Sequence, residues 1–227
     1  MIIFFPFTFL MAMSAIFCTI FDPTARIYHA HARLWGKVGL ILAGVRLKVS
    51  GRENVPGEGP VIYMSNHQGN FDILALFQGL PRKFSWLAKE ELFKVPVFGH
   101  SMARAGYIPL DRGASGRRAL KSMEKAAALI REGKSVVIFP EGTRTKDGEL
   151  LPFKQGGFLL AAKAGVPIVP LTINGSMGVN PRNRIELHPG TIRIRIADPV
   201  PVSGSASHER DRLMEEVRRA IDAGLER

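Results

Sequence analysis

The chain of 227 residues carries 31 Lys+Arg against 20 Asp+Glu, a formal net charge of +11, and 46% of it is apolar. Disordered tails combine high charge with few apolar residues, so this composition excludes one and points to a packed core with an anionic partner, either nucleic acid or a lipid surface. The single cysteine, Cys18, excludes a disulfide scaffold and an all-cysteine metal cage.

Residues 1–21 contain no charged side chain. As one helix they would extend about 31 Å, roughly the hydrocarbon thickness of a bilayer, so a membrane anchor is one reading. A cleaved signal peptide is a second, though Met1 is followed at once by Ile2-Ile3-Phe4-Phe5 with no basic residue. A buried or re-entrant segment is the third, suggested by Pro6, Thr8, Ser14 and Thr19. The flank then holds Arg26, Arg33, Lys37, Arg46 and Lys48 against Asp22, a bias that puts the body of the protein on the cytoplasmic face if the run spans. Leu34, Val38, Ile41 and Val45 recur at helical spacing, which predicts an amphipathic helix lying in a membrane interface or packed on the domain. Residues 1–46 together read as a helical, membrane-associating extension.

From residue 47 to 227 short β-branched runs alternate with helical ones, the pattern of a single mixed-sheet α/β domain flanked by helices. Strands are predicted at Leu47–Ser50, Val61–Ser65, Phe84–Ala88, Gly106–Leu110, Ser135–Phe139, Ile168–Ile173 and Thr191–Ala197. Helices are predicted at about 71–79, 91–104, 115–131, 156–164 and 207–224. In the third of these, Ser115 can cap, Leu120, Met123, Ala127 and Ile130 make the buried stripe, and Gly133 supplies the stop. The last repeats that logic with Leu213, Val217, Ile221 and Leu225.

Two constellations sit at strand ends. His67 follows the Val61-Ile62-Tyr63-Met64 strand and Asp72 opens the next helix, five residues on. Asp72 can hold the Nδ1 proton of His67 and leave Nε2 as a general base, or it can merely cap the helix beside a loop histidine. Glu141-Gly142-Thr143-Arg144 follows the Val136-Val137-Ile138-Phe139 strand. There Gly142 allows close backbone approach and Arg144 offers a planar fork for phosphate, although the segment taken by itself favours a plain turn with a surface arginine. Between Arg82 and Arg131 lie eleven Lys+Arg and four acidic residues. Lys89 and Arg112 end strand candidates there and can face one cleft mouth, while Arg117, Arg118, Lys121 and Lys125 form a solvated or membrane-facing surface.

Absences narrow the chemistry. There is no Gly-x-Ser-x-Gly elbow and no His-Glu-x-x-His, so neither an acyl-serine nor a catalytic metal is expected. Aromatics make up 8% and do not interleave with the basic residues, which weighs against nucleic acid.

Taken together these blocks resemble the glycerolipid acyltransferases, the 1-acyl-glycerol-3-phosphate acyltransferases. His67 with Asp72 looks like the family's H-x4-D block, Lys89–Leu92 with Pro96–Gly99 and Gly106–Arg112 like its second, Phe139–Arg144 like its third and Val166–Pro170 like its fourth. Pro109 interrupts a strand usually filled by apolar residues, and Gly69 and Thr145 stand where Ser is frequent. The resemblance implies that His67 deprotonates the free hydroxyl of lysophosphatidate, that Asp72 orients His67, and that the oxygen attacks an acyl thioester directly. The donor would be acyl-CoA or acyl carrier protein, with no cofactor and no metal. Arg112, Glu141, Gly142, Thr143 and Arg144 would bind the acceptor, with Lys89 as an outer contributor. Glycerol-3-phosphate, a neutral lysophospholipid or a lyso-aminolipid are alternative acceptors for the same chemistry. Anionic membrane lipids are the expected surroundings, and no nucleic-acid partner is expected.

Overall fold

The computed structural model describes residues 4–18, 25–96, 98–111, 116–180, 186–203 and 207–226. Along the chain run α1 (Phe4–Cys18), α2 (Arg26–Leu42), β1 (Val45–Ser50), β2 (Ile62–Ser65), α3 (Phe71–Gly79), β3 (Ser85–Lys89), α4 (Phe98–Arg104) and β4 (Ile108–Leu110). They are followed by α5 (Gly116–Arg131), β5 (Val136–Ile138), α6 (Gln155–Ala164), β6 (Ile168–Asn174), α7 (Ser176–Val179), β7 (Gly190–Ile196) and α8 (Ser207–Asp222).

The seven strands form one mixed sheet in the order β1-β7-β6-β2-β5-β3-β4, as the alternating pattern predicts. Only the β6–β7 pair is antiparallel. Side chains on a strand alternate between faces, so each central strand feeds two cores. From β2, Tyr63 packs with Leu76, Phe77 and Ile173 on the α3 side, while Ile62 and Met64 pack with Phe158, Leu213, Val217 and Ile221 on the α5–α6–α8 side. Leu213, Val217 and Ile221, the periodic apolar residues of α8, are fully buried there.

The predicted helix over 91–104 is broken. A short 3-10 turn spans Glu90–Lys94, and α4 begins only at Phe98, past Pro96, which has no N–H and disfavours helix in the residue before it. The break folds back tightly: a Cβ on Gly99 would collide with the Phe93 carbonyl. In α5 the stripe is rotated from expectation. Ala126, Ala127 and Ile130 are buried and Met123 is half-buried, but Leu120 is 55% exposed; Ser115, the expected cap, lies outside the described residues.

The extension also departs from expectation. Among the described residues no helix is long and apolar enough to cross a membrane, and α1 has 15 residues, about 22 Å of helix. Residues 19–24 lie outside the described residues. Polar residues of the uncharged run tie α1 to α2. Trp35 Nε1 donates to Thr8 Oγ1 at 3.0 Å, and Ser14 Oγ meets His31 Nε2 at 3.0 Å. Toward α3, α2 presents Gly36 and Leu40, and a Cβ on Gly36 would come within 3.1 Å of the Leu74 carbonyl oxygen. The predicted stripe divides: Leu34 and Ile41 are 50% and 64% exposed, whereas Val45 lies past the end of α2, opens β1 and is buried in the core.

His29, on the buried face of α2, contacts the Phe77 and Phe84 rings, and its Nε2 has no hydrogen-bond partner among the described residues. Burial, aided by Arg33 and Lys83, lowers its pKa from 6.5 to about 4. The unfolded chain thus binds a proton over that window and the folded chain does not. Stability should fall as pH drops from about 6.5 toward 4, by about 2 kcal/mol between pH 7 and pH 5. Urea unfolding at the two pH values checks this, with His29→Phe expected to lose that share of the acid sensitivity.

Candidate active site

Strand β2 is buried along its whole length in the middle of the sheet, and its carboxyl end delivers Asn66 and His67. The Asn66 side chain makes a two-point clamp on β6. Its Nδ2 donates to the Ile173 carbonyl at 2.8 Å, and its Oδ1 accepts from the Ile173 N–H at 2.7 Å. The His67 main chain is then held from the other side of the sheet. Its N–H donates to Glu141 Oε1 at 2.8 Å, and its carbonyl accepts from the Thr145 N–H at 2.9 Å.

Asp72 sits in the first turn of α3 and is fully buried. Its Oδ2 accepts from His67 Nδ1 at 2.7 Å and from the N–H groups of Gln68 and Gly69 at 2.8 and 2.9 Å. That one oxygen ties down the loop ahead of α3 and holds the imidazole; it accepts no N–H of the helix itself, whose start at Asn70 has no side-chain cap. The carboxylate only accepts, so Nδ1 carries the proton and Nε2 keeps its lone pair. The other face of the arrangement is aromatic: the His67 ring lies parallel to Phe139, 3.9 Å between centroids and 11° apart, and Phe139 stacks in turn on Trp86. Gly69 has a local reason too, since a Cβ there would meet the Ser176 carbonyl oxygen at 2.9 Å.

His67 opens into a cleft of about 550 Å³ whose walls include Trp86, Leu110, Asp111, Phe139, Gly142 and Lys154. Gly142 adopts φ +70°, and a Cβ there would lie 2.8 Å from Lys154 Nζ. Lys154, which no motif singles out, therefore crosses directly over the glycine; the only signal in the sequence is a lysine preceding the paired Gly156 and Gly157.

Glu141 departs from its expected place in an acceptor site. It is 3% exposed, and while Oε1 accepts from His67, Oε2 accepts from the Leu151 N–H at 2.8 Å. Burial raises its pKa, and these two backbone bonds pull it back. Both oxygens face main chain, so Glu141 braces His67 from behind. Arg144 lies beyond the turn and donates to Asn70 Oδ1 at 2.5 Å, and Asn70 Nδ2 donates to Asn180 Oδ1 at 2.8 Å. Thr143 is exposed on the turn, and Lys89 is exposed at the end of β3, outside the cleft walls. Arg112 lies outside the described residues.

A family model described as Acyltransferase matches residues 46–174, more than half of the chain. The chain belongs to the acyltransferase family. The acyltransferase domain so defined contains both strand-end constellations. Its relatives include the chloroplastic 1-acyl-sn-glycerol-3-phosphate acyltransferase of Arabidopsis thaliana, 36% identical over 85% of this chain and 55% of that one. The human 1-acyl-sn-glycerol-3-phosphate acyltransferase alpha is 33% identical over 79% of this chain and 64% of its own length. This acyltransferase chain thus spans between half and two thirds of these relatives. The crystal structure of the 1-acyl-sn-glycerophosphate acyltransferase PlsC from Thermotoga maritima superposes with a TM-score of 0.76 at 26% identity, covering 94% of this chain and 86% of that one.

Proposed function

We propose that this acyltransferase moves a fatty acyl group from an acyl thioester to the free hydroxyl of 1-acyl-glycerol-3-phosphate, producing phosphatidate. The observation that carries the reading is the 2.7 Å contact between His67 Nδ1 and the buried Asp72 carboxylate, in a chain whose relatives bear that activity in their names. His67 Nε2 takes the hydroxyl proton as the oxygen attacks the thioester carbonyl. The C–O bond forms, the C–S bond breaks, and the proton passes from the imidazolium to the departing thiolate. Asp72 stabilises the imidazolium between those two transfers, and base, hydroxyl and thioester complete the step.

The acceptor phosphate lies against the Gly142–Arg144 turn. Gly142 gives it close access to backbone, Lys154 supplies a charge in the cleft wall, and Arg144 a planar fork held by Asn70. Arg112 is assigned to the acceptor on its motif alone, and exposed Lys89 and Thr143 are outer polar contributors.

The α1–α2 pair lies in the membrane interface on the cytoplasmic side. Phe9, Leu10 and Phe17 of α1 and Leu34, Ile41 and Leu42 of α2 are each at least half exposed, and Arg26, Arg33 and Lys37 stand among them to meet anionic head groups. A lipid acceptor then reaches the cleft without leaving its surface.

The test is a substrate panel with product analysis by mass, using the full chain on anionic vesicles. Lysophosphatidate, glycerol-3-phosphate, lysophosphatidylcholine and a lyso-aminolipid are offered with acyl-CoA or acyl carrier protein. Phosphatidate from lysophosphatidate is the expected product; acylation of another acceptor in preference to it overturns the acceptor assignment, and no transfer to any overturns the reading.

A further inference from the structure

A second concavity of about 330 Å³ adjoins the catalytic cleft, between the Glu90–Lys94 turn and one face of α5, with Pro109 and Asp111 at its base. Asp111 lines both spaces. Its nearly buried carboxylate pairs with Arg118 at 2.5 Å, and its N–H donates to Ser122 Oγ at 2.9 Å, which fixes the base and engages the Arg118 charge. What remains around the rim is Lys94, Lys121 and Lys125 against Glu90. Among the described residues no ion pair engages those three lysines.

The shape and composition of this concavity narrow its ligand. Arg118, Lys121, Ser122 and Lys125 fall at i, i+3, i+4 and i+7, so they share one face of α5. Exposed Leu120 falls on the opposite flank, and no aromatic or large apolar side chain lines the concavity. A bilayer surface would be met by an apolar face with a basic rim, and a nucleic acid by stacking aromatics. A small polar notch ringed by ammonium groups instead suits a compact anion of the phosphate kind. The thioester that the neighbouring cleft must receive carries such a group in either of its biological forms: the pantetheine arm of CoA and the prosthetic arm of acyl carrier protein both end in a 4'-phosphate.

Resting on the function proposed above, we infer that this concavity seats the 4'-phosphate of the donor's phosphopantetheine arm, with Lys94, Lys121 and Lys125 as its cations, while the thioester carbonyl lies beside His67. The lysines bind the donor and take no part in the chemistry.

The experiment uses the full chain and the variant combining Lys94→Ala, Lys121→Ala and Lys125→Ala, all exposed positions. Steady-state rates are measured with acyl-CoA, acyl carrier protein and phosphate-free S-acyl-pantetheine. The expected result is a rise in KM of about tenfold or more for a phosphate-bearing donor with kcat kept, because each charged contact to phosphate is lost. KM for S-acyl-pantetheine and for lysophosphatidate should not move. A rise with acyl-CoA only, with carrier protein only, or with both supports the inference and identifies the source of the phosphate. Unchanged KM for both phosphate-bearing donors overturns it. So does an equal loss with S-acyl-pantetheine, or a loss that tracks weaker sedimentation with anionic vesicles, which would make the lysines a membrane contact. Wild-type turnover with S-acyl-pantetheine tests the proposed function separately, since that donor needs no phosphate site. Titration calorimetry of CoA into both proteins reads the concavity without any turnover.

Discussion

His67→Ala should lower kcat for acyl transfer by about 100- to 10,000-fold, the range attributable to a positioned general base, while KM for lysophosphatidate stays close to that of the parent protein. The base makes its contribution as the hydroxyl oxygen becomes nucleophilic, so its loss falls on the chemical step. The fold should survive. The side chain is partly exposed, and what anchors the segment is main chain: the His67 N–H to Glu141 and the His67 carbonyl to Thr145, both of which alanine keeps. The losses are one hydrogen bond to Asp72 and the stack on Phe139. At about 1–2 kcal/mol together, these should shift the melting transition by only a few degrees, roughly 2–4 °C per kcal/mol in a chain of this size. Circular dichroism and a melting curve beside the rate measurement separate the two effects. Turnover retained in a folded His67→Ala protein would remove the base from His67.

What the sequence reveals and what it hides divides along the range of the interactions. The Val136–Ile138 and Ile168–Asn174 strands are legible because apolar β-branched residues form local runs, and α8 because Leu213, Val217 and Ile221 repeat at helical spacing. The His67–Asp72 pair is legible for the same reason: five residues bridge a strand end and the first helical turn. Glu141 is the contrary case. It stands in a motif that suggests ligand contact, but its partners are the main chain of His67, 74 residues away, and of Leu151, and only the pairing of β2 with β5 brings the two loops together. Lys154 is hidden in the same way, being defined by its passage over Gly142 rather than by its neighbours in sequence. Periodicity also identifies an apolar stripe without saying what covers it. On α8 the stripe is core; on α2 the packing falls to Gly36, Gly39 and Leu40, and Leu34 and Ile41 stay outside.

The same long-range bonds make the base a product of the sheet. Asn66 clamps the end of β2 to β6, and Glu141 ties it to the loop after β5, so His67 is fixed between the strands flanking β2 before its side chain meets Asp72. An imidazole held at its backbone, at Nδ1 and across its ring face retains little freedom beyond small rocking. That is the preorganisation a general base needs if its lone pair is to meet a substrate hydroxyl at hydrogen-bond distance.

Asp72→Asn should lower kcat by about 1,000-fold without inverting the histidine tautomer. In an active site where the carboxylate meets only the histidine, asparagine can turn its amide toward Nδ1 and force the proton to Nε2, abolishing the base. Here that rotation is opposed, because the oxygen facing Nδ1 also accepts the N–H groups of Gln68 and Gly69. An NH2 at that position would face three donors, so the oxygen of the introduced amide should take it and the amide nitrogen should occupy the position of Asp72 Oδ1, which has no hydrogen-bond partner among the described residues. Nδ1 then keeps its proton, and the variant loses only the negative charge beside the imidazolium. A unit charge about 4 Å away in a medium of effective dielectric 20 contributes about 4 kcal/mol, which equals a factor of about 1,000 in rate. The buried amide left without an acceptor should also cost about 1–3 kcal/mol of stability, visible in urea unfolding. Nitrogen-15 NMR of labelled histidine distinguishes the two routes: His67 should remain the Nδ1–H tautomer in both proteins, and an Nε2–H signal in the variant would overturn the orientation argued from the three donors.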